Sequence, residues 1–263
     1  KELSFKIKYY YIMEINNVSV VIVTFKSEEK IFNCIESIPK DVSIVVVENS
    51  NKVAFKQKIE KKYENVTCIL AGANKGYAVA NNIGLNFIKT KYALVLNPDT
   101  VVDENAIQNF FITVKSHKDF WLIGPGNDQA EKESQFKNDN VLMVKNLKGF
   151  AIFFNIEKFE KTFFDENFFL YFEEIDLCNR VIKKGGKIYL DKNIIIKHEG
   201  SNSVSKTHEL EFEKNRNWHW MWSTFYFQKK HKGFFIALLK ISPKFISSIF
   251  KILIYQIALN NQK

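Results

Sequence analysis

From residue 214 to residue 263 the chain has no Asp or Glu, while the same stretch holds nine Lys or Arg. The preceding residues carry 29 basic and 29 acidic side chains, so the whole formal charge of +9 belongs to the C-terminal end. Charge confined in this way argues against a surface coated for nucleic acid and toward a local anionic partner such as a phospholipid surface. Cysteine is also scarce. Cys34, Cys68 and Cys178 stand far apart without metal-ligand spacing, which argues against a disulfide framework or zinc site and suits core thiols in a reducing compartment. The longest stretch without a charged residue, 76–88, has 13 residues, whereas a bilayer span needs roughly 20. Residues 1–13 (KELSFKIKYYYIM) lack a long apolar core and a small-residue cleavage site, so no signal peptide is expected and Met13 is a candidate initiator. Neither G-x-G-x-x-G after the first strand nor G-x-x-x-x-G-K-[ST] occurs, which excludes a dinucleotide fold and a P-loop.

Apolar strand-like and helix-like segments alternate in what remains. Residues 18–25 (VSVVIVTF) form a nearly continuous β-branched run, as expected for a strand buried on both faces. Ser27 is placed to cap a helix on which Ile31, Cys34, Ile35 and Ile38 recur at helical spacing before Pro39. Further strands are predicted at 42–47, 66–70 and 92–96, with helix-like stretches at 55–63 and 76–89. The pattern predicts an α/β fold with a mostly parallel sheet and helices on both faces. Later, strands at 120–124 and 141–155 flank a polar loop at 128–140, and a helix at 173–184 stops at Gly185-Gly186. Two short strands are expected around Asp191 within 187–198. Residues 234–259 are apolar but interrupted by Lys240, Pro243, Lys244 and Lys251, which predicts amphipathic C-terminal helices broken at Pro243.

In parallel α/β sheets ligands bind outside the carboxyl ends of the strands. Those tips read Thr24-Phe25-Lys26, Glu48-Asn49-Ser50, Ala71-Gly72-Ala73-Asn74 and Asn97-Pro98-Asp99. A carboxylate at a strand tip beside a rigid proline suits Mg²⁺ or Mn²⁺, which prefer oxygen ligands and bridge to diphosphates. Asn, Pro and Asp also form ordinary turns, so the surroundings must decide. Those surroundings are the N-x-G-x-A-x-A-x-N-x-G run at 74–84, NPDT at 97–100, FDENFFLYFEEIDLCNR at 164–180 and His198-Glu199-Gly200. With the opening strand, their order and spacing resemble the family 2 glycosyltransferases of the GT-A fold, in particular the bacterial rhamnosyltransferase-like branch, over about residues 18–230.

The resemblance implies a nucleotide-sugar-binding sheet in a domain spanning 18–232, preceded by an extension at 1–17 and followed by a basic membrane-associating tail at 233–263. It implies that Thr24, Phe25, Glu48 and Asn49 contact the base and ribose. It further implies that Asn74, Lys75, Gly76, Asn81, Asn82 and Asn97 close over the nucleotide and diphosphate, with Lys75 and the backbone near Gly76 facing anionic oxygen. Asp99 is implied as ligand of a divalent metal, Mg²⁺ or Mn²⁺, with His198 as a further ligand or diphosphate contact. Glu174 is implied as the general base, supported by Glu173, Asp176 and Arg180. Two positions depart from the family pattern, which has Asp where this chain has Glu48 and Glu174.

The implied reaction is inverting transfer of a sugar, with L-rhamnose from dTDP-rhamnose the leading donor, to a lipid-linked cell-surface glycan at the inner face of the cytoplasmic membrane. A UDP-sugar galactosyl- or N-acetylhexosaminyltransferase is the rival within enzymes. A non-catalytic nucleotide-sugar-binding protein is the rival outside them. Glu173, Glu174 and Asp176 also fit the dipole-favoured first turn of a helix, and His198 also fits a structural role. Trp218, Trp220 and Trp222, beside the acid-free tail, fit helix packing or a membrane interface, while the tail itself also fits a helix packed on the catalytic domain or a homo-oligomer contact.

Overall fold

A computed structural model describes residues 14–126, 139–160, 162–198 and 209–260. Met13, Glu199-Gly200 and most of the expected polar loop lie outside them.

The first half alternates as the sequence predicts. Strands β1 (Val18–Thr24), β2 (Ser43–Glu48), β3 (Val66–Leu70) and β4 (Tyr92–Leu96) are separated by helices α1 (Glu28–Glu36), α2 (Val53–Lys62) and α3 (Gly76–Phe87). Next come β5 (Thr100–Val102), α4 (Ala106–Ser116), β6 (Phe120–Pro125), β7 (Val141–Met143) and β8 (Ala151–Asn155). The chain continues through α5 (Glu173–Lys183), β9 (Lys187–Asp191), β10 (Ile196–His198), α6 (Glu209–Lys232) and α7 (Phe234–Asn260). Eight strands form one sheet in the order β3-β2-β1-β4-β8-β6-β9-β7, while β10 and β5 make a separate antiparallel pair. Within the large sheet β8 runs antiparallel to β4 and β6, and β7 antiparallel to β9; the other pairings are parallel.

Alternation along β1 shows how the two faces are filled, because successive side chains of a strand point to opposite sides. Val20 and Ile22 join a core with Ile31, Cys34, Ile59, Ile107 and Phe110, so α1, α2 and α4 cover that face. Val21 and Val23 join Ala78, Ala80, Leu85, Leu177 and Val181, so α3 and α5 cover the other. Gly84 lets α3 lie close to the sheet: a Cβ there would stand 2.4 Å from Val21 Cγ1.

Three local expectations change. Ser27 makes no side-chain cap, since its hydroxyl donates to Phe25 O at 2.9 Å. The predicted strand at 141–155 is two strands, β7 and β8, which pair at different places in the sheet. Pro243 does not break the C-terminal segment, and α7 runs through it. Proline cannot donate to the carbonyl four residues back, that of Leu239. Ser242 Oγ donates to that carbonyl instead, at 3.2 Å.

Candidate active site

The tips of β1, β2 and β4 gather with the start of α3 around a loop of interlocked asparagines. Asn49 Oδ1 accepts from the Lys75 amide at 2.9 Å, and Asn49 Nδ2 donates to Asn74 Oδ1 at 3.1 Å and Gly76 O at 3.3 Å. Gly76 has φ +81°, and a Cβ there would lie 2.4 Å from Phe169 O, so no other residue fits without moving backbone. The Gly76 and Tyr77 amides, expected to face an anion, donate instead to Asn74 Oδ1 and Phe169 O at 3.1 and 2.8 Å. The Lys75 side chain is exposed.

Glu48 is buried, and its two carboxylate oxygens accept from the Ser50 and Lys52 amides at 3.0 and 2.6 Å. It shapes the β2 tip and keeps its other lone pairs for a ligand. Beside it, Thr24 Oγ1 is buried with no hydrogen-bond partner among the described residues; Asn81 Oδ1 is in the same condition within α3. Buried polar atoms are normally paired, so an orphan at a strand tip marks a place for a ligand atom. Phe25 follows directly, with Lys26 Nζ 5.5 Å from its ring centroid. Asn82 lies elsewhere: its amide holds the Phe164 backbone and Glu166 Oε1 at 2.9–3.0 Å, which spends it on the 164–166 segment.

Asp99 and His198 are brought together by the small β5–β10 sheet, in which His198 pairs with Thr100. Asp99 is 5% exposed. Its Oδ1 stands 3.3 Å from His198 Nε2 without hydrogen-bond geometry and is otherwise unpartnered among the described residues. A carboxylate oxygen and an imidazole nitrogen facing one gap fit a divalent cation. Among the described residues no third His, Cys, Asp or Glu completes a ligand cluster. The Asn97 carbonyl accepts from the Thr100 hydroxyl at 2.8 Å and so fixes this turn.

The acidic pair lies across a two-residue bridge that sequence reasoning missed. Phe150 stacks on His198 with ring centroids 4.9 Å apart, and its carbonyl accepts from the Asn97 amide at 2.9 Å. Its neighbour Gly149 accepts from the Tyr77 hydroxyl at 2.6 Å, and a Cβ on Gly149 would rest 3.6 Å from Glu174. Gly149-Phe150 thus joins the β4 tip to the start of α5. Its only sequence signal is a glycine entering an unbroken apolar strand.

At the start of α5, Glu173 is buried with Oε2 unpaired among the described residues, whereas Glu174 is half-buried. Burial, reinforced by the Glu174 charge, pushes the Glu173 carboxyl well above its ordinary value. Burial also raises Glu174, partly offset by hydrogen bonds from the Glu174 and Ile175 amides. The Tyr77 phenol is pushed up by burial first and then by these two carboxylates. A buried carboxyl with its neutral form favoured, beside a more accessible one, is an arrangement suited to proton transfer, and Glu174 is the more accessible of the two.

Asp176 ties α5 to α6, and Arg180, one turn along α5, bonds to Asp176 and to the Phe163 carbonyl. Asp176 is fully buried; Arg180 Nε donates to its Oδ2 at 2.7 Å, while Lys230 Nζ and His231 Nε2 lie 2.7 and 2.8 Å from its Oδ1. Lys183 Nζ is 3.2 Å from His231 Nδ1. An ammonium only donates, so Nδ1 accepts and Nε2 carries the proton given to Asp176.

Helix α6 grips the preceding loop as well. Tyr226 and Lys230 donate to Asp165, Ser223 donates to Leu170 O at 2.7 Å, and His219 stacks on Phe169 at 4.2 Å. Arg216 Nε donates to the Tyr171 hydroxyl at 2.9 Å, and Phe227 packs on Phe172 at 5.2 Å. Tyr171 and Phe172 both have left-handed backbone, with φ of 74° and 69°. Such strain persists only where the surroundings impose it, and α6 imposes it immediately before Glu173.

The glycosyl transferase family 2 model matches residues 19–178, which span the groups above except Arg180, Lys183, His198 and α6. The chain belongs to glycosyl transferase family 2. Its relatives include the low-salt glycan biosynthesis hexosyltransferase of Haloferax volcanii, 27% identical over 192 residues that cover 63% of this chain and 62% of that enzyme. The family fold recurs in the mannosyltransferase PcManGT from Pyrobaculum calidifontis in complex with GDP-Man and Mn²⁺. That structure has a TM-score of 0.59 and 14% identity, covering 78% of this chain and 62% of the other. S. aureus TarS in complex with UDP-GlcNAc gives 0.55 and 18%, covering 77% and 66%. At these identities the likeness is one of fold, and the GT-A architecture expected from the sequence is the one observed. The family 2 chain described here spans less than two thirds of the Haloferax enzyme's length.

Proposed function

We propose that this chain is an inverting glycosyltransferase that moves a hexose from a nucleotide-sugar donor onto a lipid-linked glycan at the inner face of the cytoplasmic membrane. The observation that carries the reading is the junction at Gly149-Phe150, which sets an orphaned Asp99–His198 pair on one side and a carboxyl pair on the other. Inverting transfer is one displacement through an oxocarbenium-like state, and it asks for these two parts on opposite sides of the anomeric carbon.

Glu174 takes the proton of the acceptor hydroxyl, whose oxygen bonds to the anomeric carbon as the bond to the diphosphate oxygen breaks. Burial favours the neutral form of Glu173, which lessens the negative charge beside the acceptor. Thr24, Phe25, Glu48 and Asn49 border the base and ribose, while Asn74, Lys75, Asn81 and Asn97 border the diphosphate. Asp99 and His198 would hold Mg²⁺ or Mn²⁺, and the cation would supply positive charge to the departing diphosphate.

dTDP-rhamnose is the donor implied by the sequence resemblance, while the relatives' complexes hold GDP-Man or UDP-GlcNAc. Thermal unfolding with dTDP, UDP and GDP, with and without Mn²⁺, separates these donors. Ligand at about 100 times its dissociation constant adds roughly 2.7 kcal/mol. We expect one nucleotide to stabilise strongly, and more so with Mn²⁺. No response to any of them removes the donor site. Stabilisation without transfer from the matching sugar donor makes the protein a binder instead of an enzyme.

A further inference from the structure

We propose that the outer face of the α6–α7 hairpin is a docking surface for an anionic bilayer, on which α7 lies in the headgroup plane. Only Gly233, with φ +96°, separates the two helices. Helix α7 folds back along α6, with Phe234 packed on Phe225 and Lys244 Nζ 3.6 Å from the Trp220 ring centroid. Ala237 is buried in this contact, yet its apolar neighbours are not. Phe235 is 80% and Leu239 73% exposed, and Phe234, Ile236, Leu238, Phe245 and Ile246 are all exposed as well. At 100° per residue these positions cover about 200° of the helix, and Lys240 and Lys244 fall on the remaining side. A broad exposed apolar arc flanked by lysines is the pattern of a helix lying in a membrane interface. On α6, Trp218 at 63% and Trp222 at 47% exposure extend the surface with side chains suited to a membrane–water boundary.

Charge selects the occupant. No acid follows Glu213, and Lys229, Lys232, Lys240 and Lys244 are exposed around the apolar side chains. A second copy would press two acid-free cationic faces together, whereas anionic lipid neutralises them at about 1 kcal/mol per basic residue near the surface. Among the described residues no helix is long and apolar enough to cross a membrane.

This deepens the proposed function by giving the enzyme a route to a lipid-linked acceptor. Its test uses neither donor nor acceptor, so the two readings fail separately. The full chain is floated with phosphatidylcholine vesicles and with vesicles containing about one third phosphatidylglycerol. Binding to the anionic vesicles alone, weakened by salt, is expected. The double variant Phe235→Ser/Leu239→Ser should lower partitioning at least roughly tenfold, because each side chain loses its burial in lipid. Lys232→Glu/Lys240→Glu should abolish the preference for anionic vesicles. Circular dichroism checks that the variants fold; where one does not, the lipid and salt dependence of the unaltered chain decides. Absence of binding to anionic vesicles overturns the proposal. So does a dimer in solution that Phe235→Ser/Leu239→Ser dissolves, since the face would then belong to a second copy.

Discussion

At Glu173 and Glu174 two adjacent carboxyls meet different surroundings, and their division of labour follows. Both are raised by burial, but only Glu174 is half-exposed. Glu174→Gln should lower kcat by roughly 10²–10⁴ while leaving nucleotide binding intact, as measured by transfer assay beside thermal unfolding. A raised carboxyl gains its basic form at higher pH than an ordinary glutamate. The acid limb of the kcat profile should therefore have its midpoint above 4.5, the ordinary value for this group. A midpoint at or below that value would assign the base elsewhere.

Asp165 shows the opposite shift. Burial alone would raise its carboxyl, but hydrogen bonds from Lys230, the Asn167 amide and Tyr226 outweigh burial and hold it at about 2. A group depressed in the folded state stabilises above its unfolded value of 3.8, and that contribution is lost as pH falls toward 2. Asp165→Asn should cost up to about 2 kcal/mol in urea unfolding at neutral pH, with the gap narrowing below pH 4. At Gly76, substitution by alanine forces a Cβ onto Phe169 O at positive φ. Strain of roughly 1–3 kcal/mol should appear in unfolding, accompanied by weaker nucleotide binding.

Among the elements, α6 contributes most that local pattern cannot convey. Lys230 and His231 reach Asp176 from more than fifty residues away, and pairs so distant leave no periodicity in the sequence. β1, β2 and β4 are legible as β-branched runs because both faces of the sheet are covered, and their tips carry the short polar signatures that point to the site. His198 is legible as a residue, but its seat opposite Thr100 depends on β5, a three-residue strand too short to show alternation. No element was predicted at α4, although Ala106, Ile107, Phe110 and Phe111 recur at helical spacing. Asp176→Ala would leave Arg180, Lys230 and His231 facing an empty buried position. A loss of about 3–5 kcal/mol is expected, as for a buried pair deprived of one partner. In chemical denaturation, a change under 1 kcal/mol would mean that α6 is held by its aromatic contacts instead.

For the whole molecule, the core and the C-terminal hairpin differ in kind. The sheet is covered on both faces, whereas most of the first turns of α7 face outward. Segments with few buried contacts open at low free energy. Amides of the first half of α7 should therefore exchange with solvent faster than those of β1 and β4, and slow when anionic vesicles are added. Exchange unchanged by vesicles would separate this helix from the bilayer.

The insertion of β8 between β4 and β6 also sets an order on synthesis. Strands β1 to β4 come from a continuous stretch ending at Leu96 and can pair as they leave the ribosome, β3-β2-β1-β4. The edge of β4 then waits for Ala151–Asn155, and β6, made earlier, has no place in the sheet until β8 arrives. The strand tips proposed to border the nucleotide are thus complete before the segment bearing Glu174 has been translated. On the proposed function, a nascent chain at that stage has those tips but still lacks the proposed base and His198.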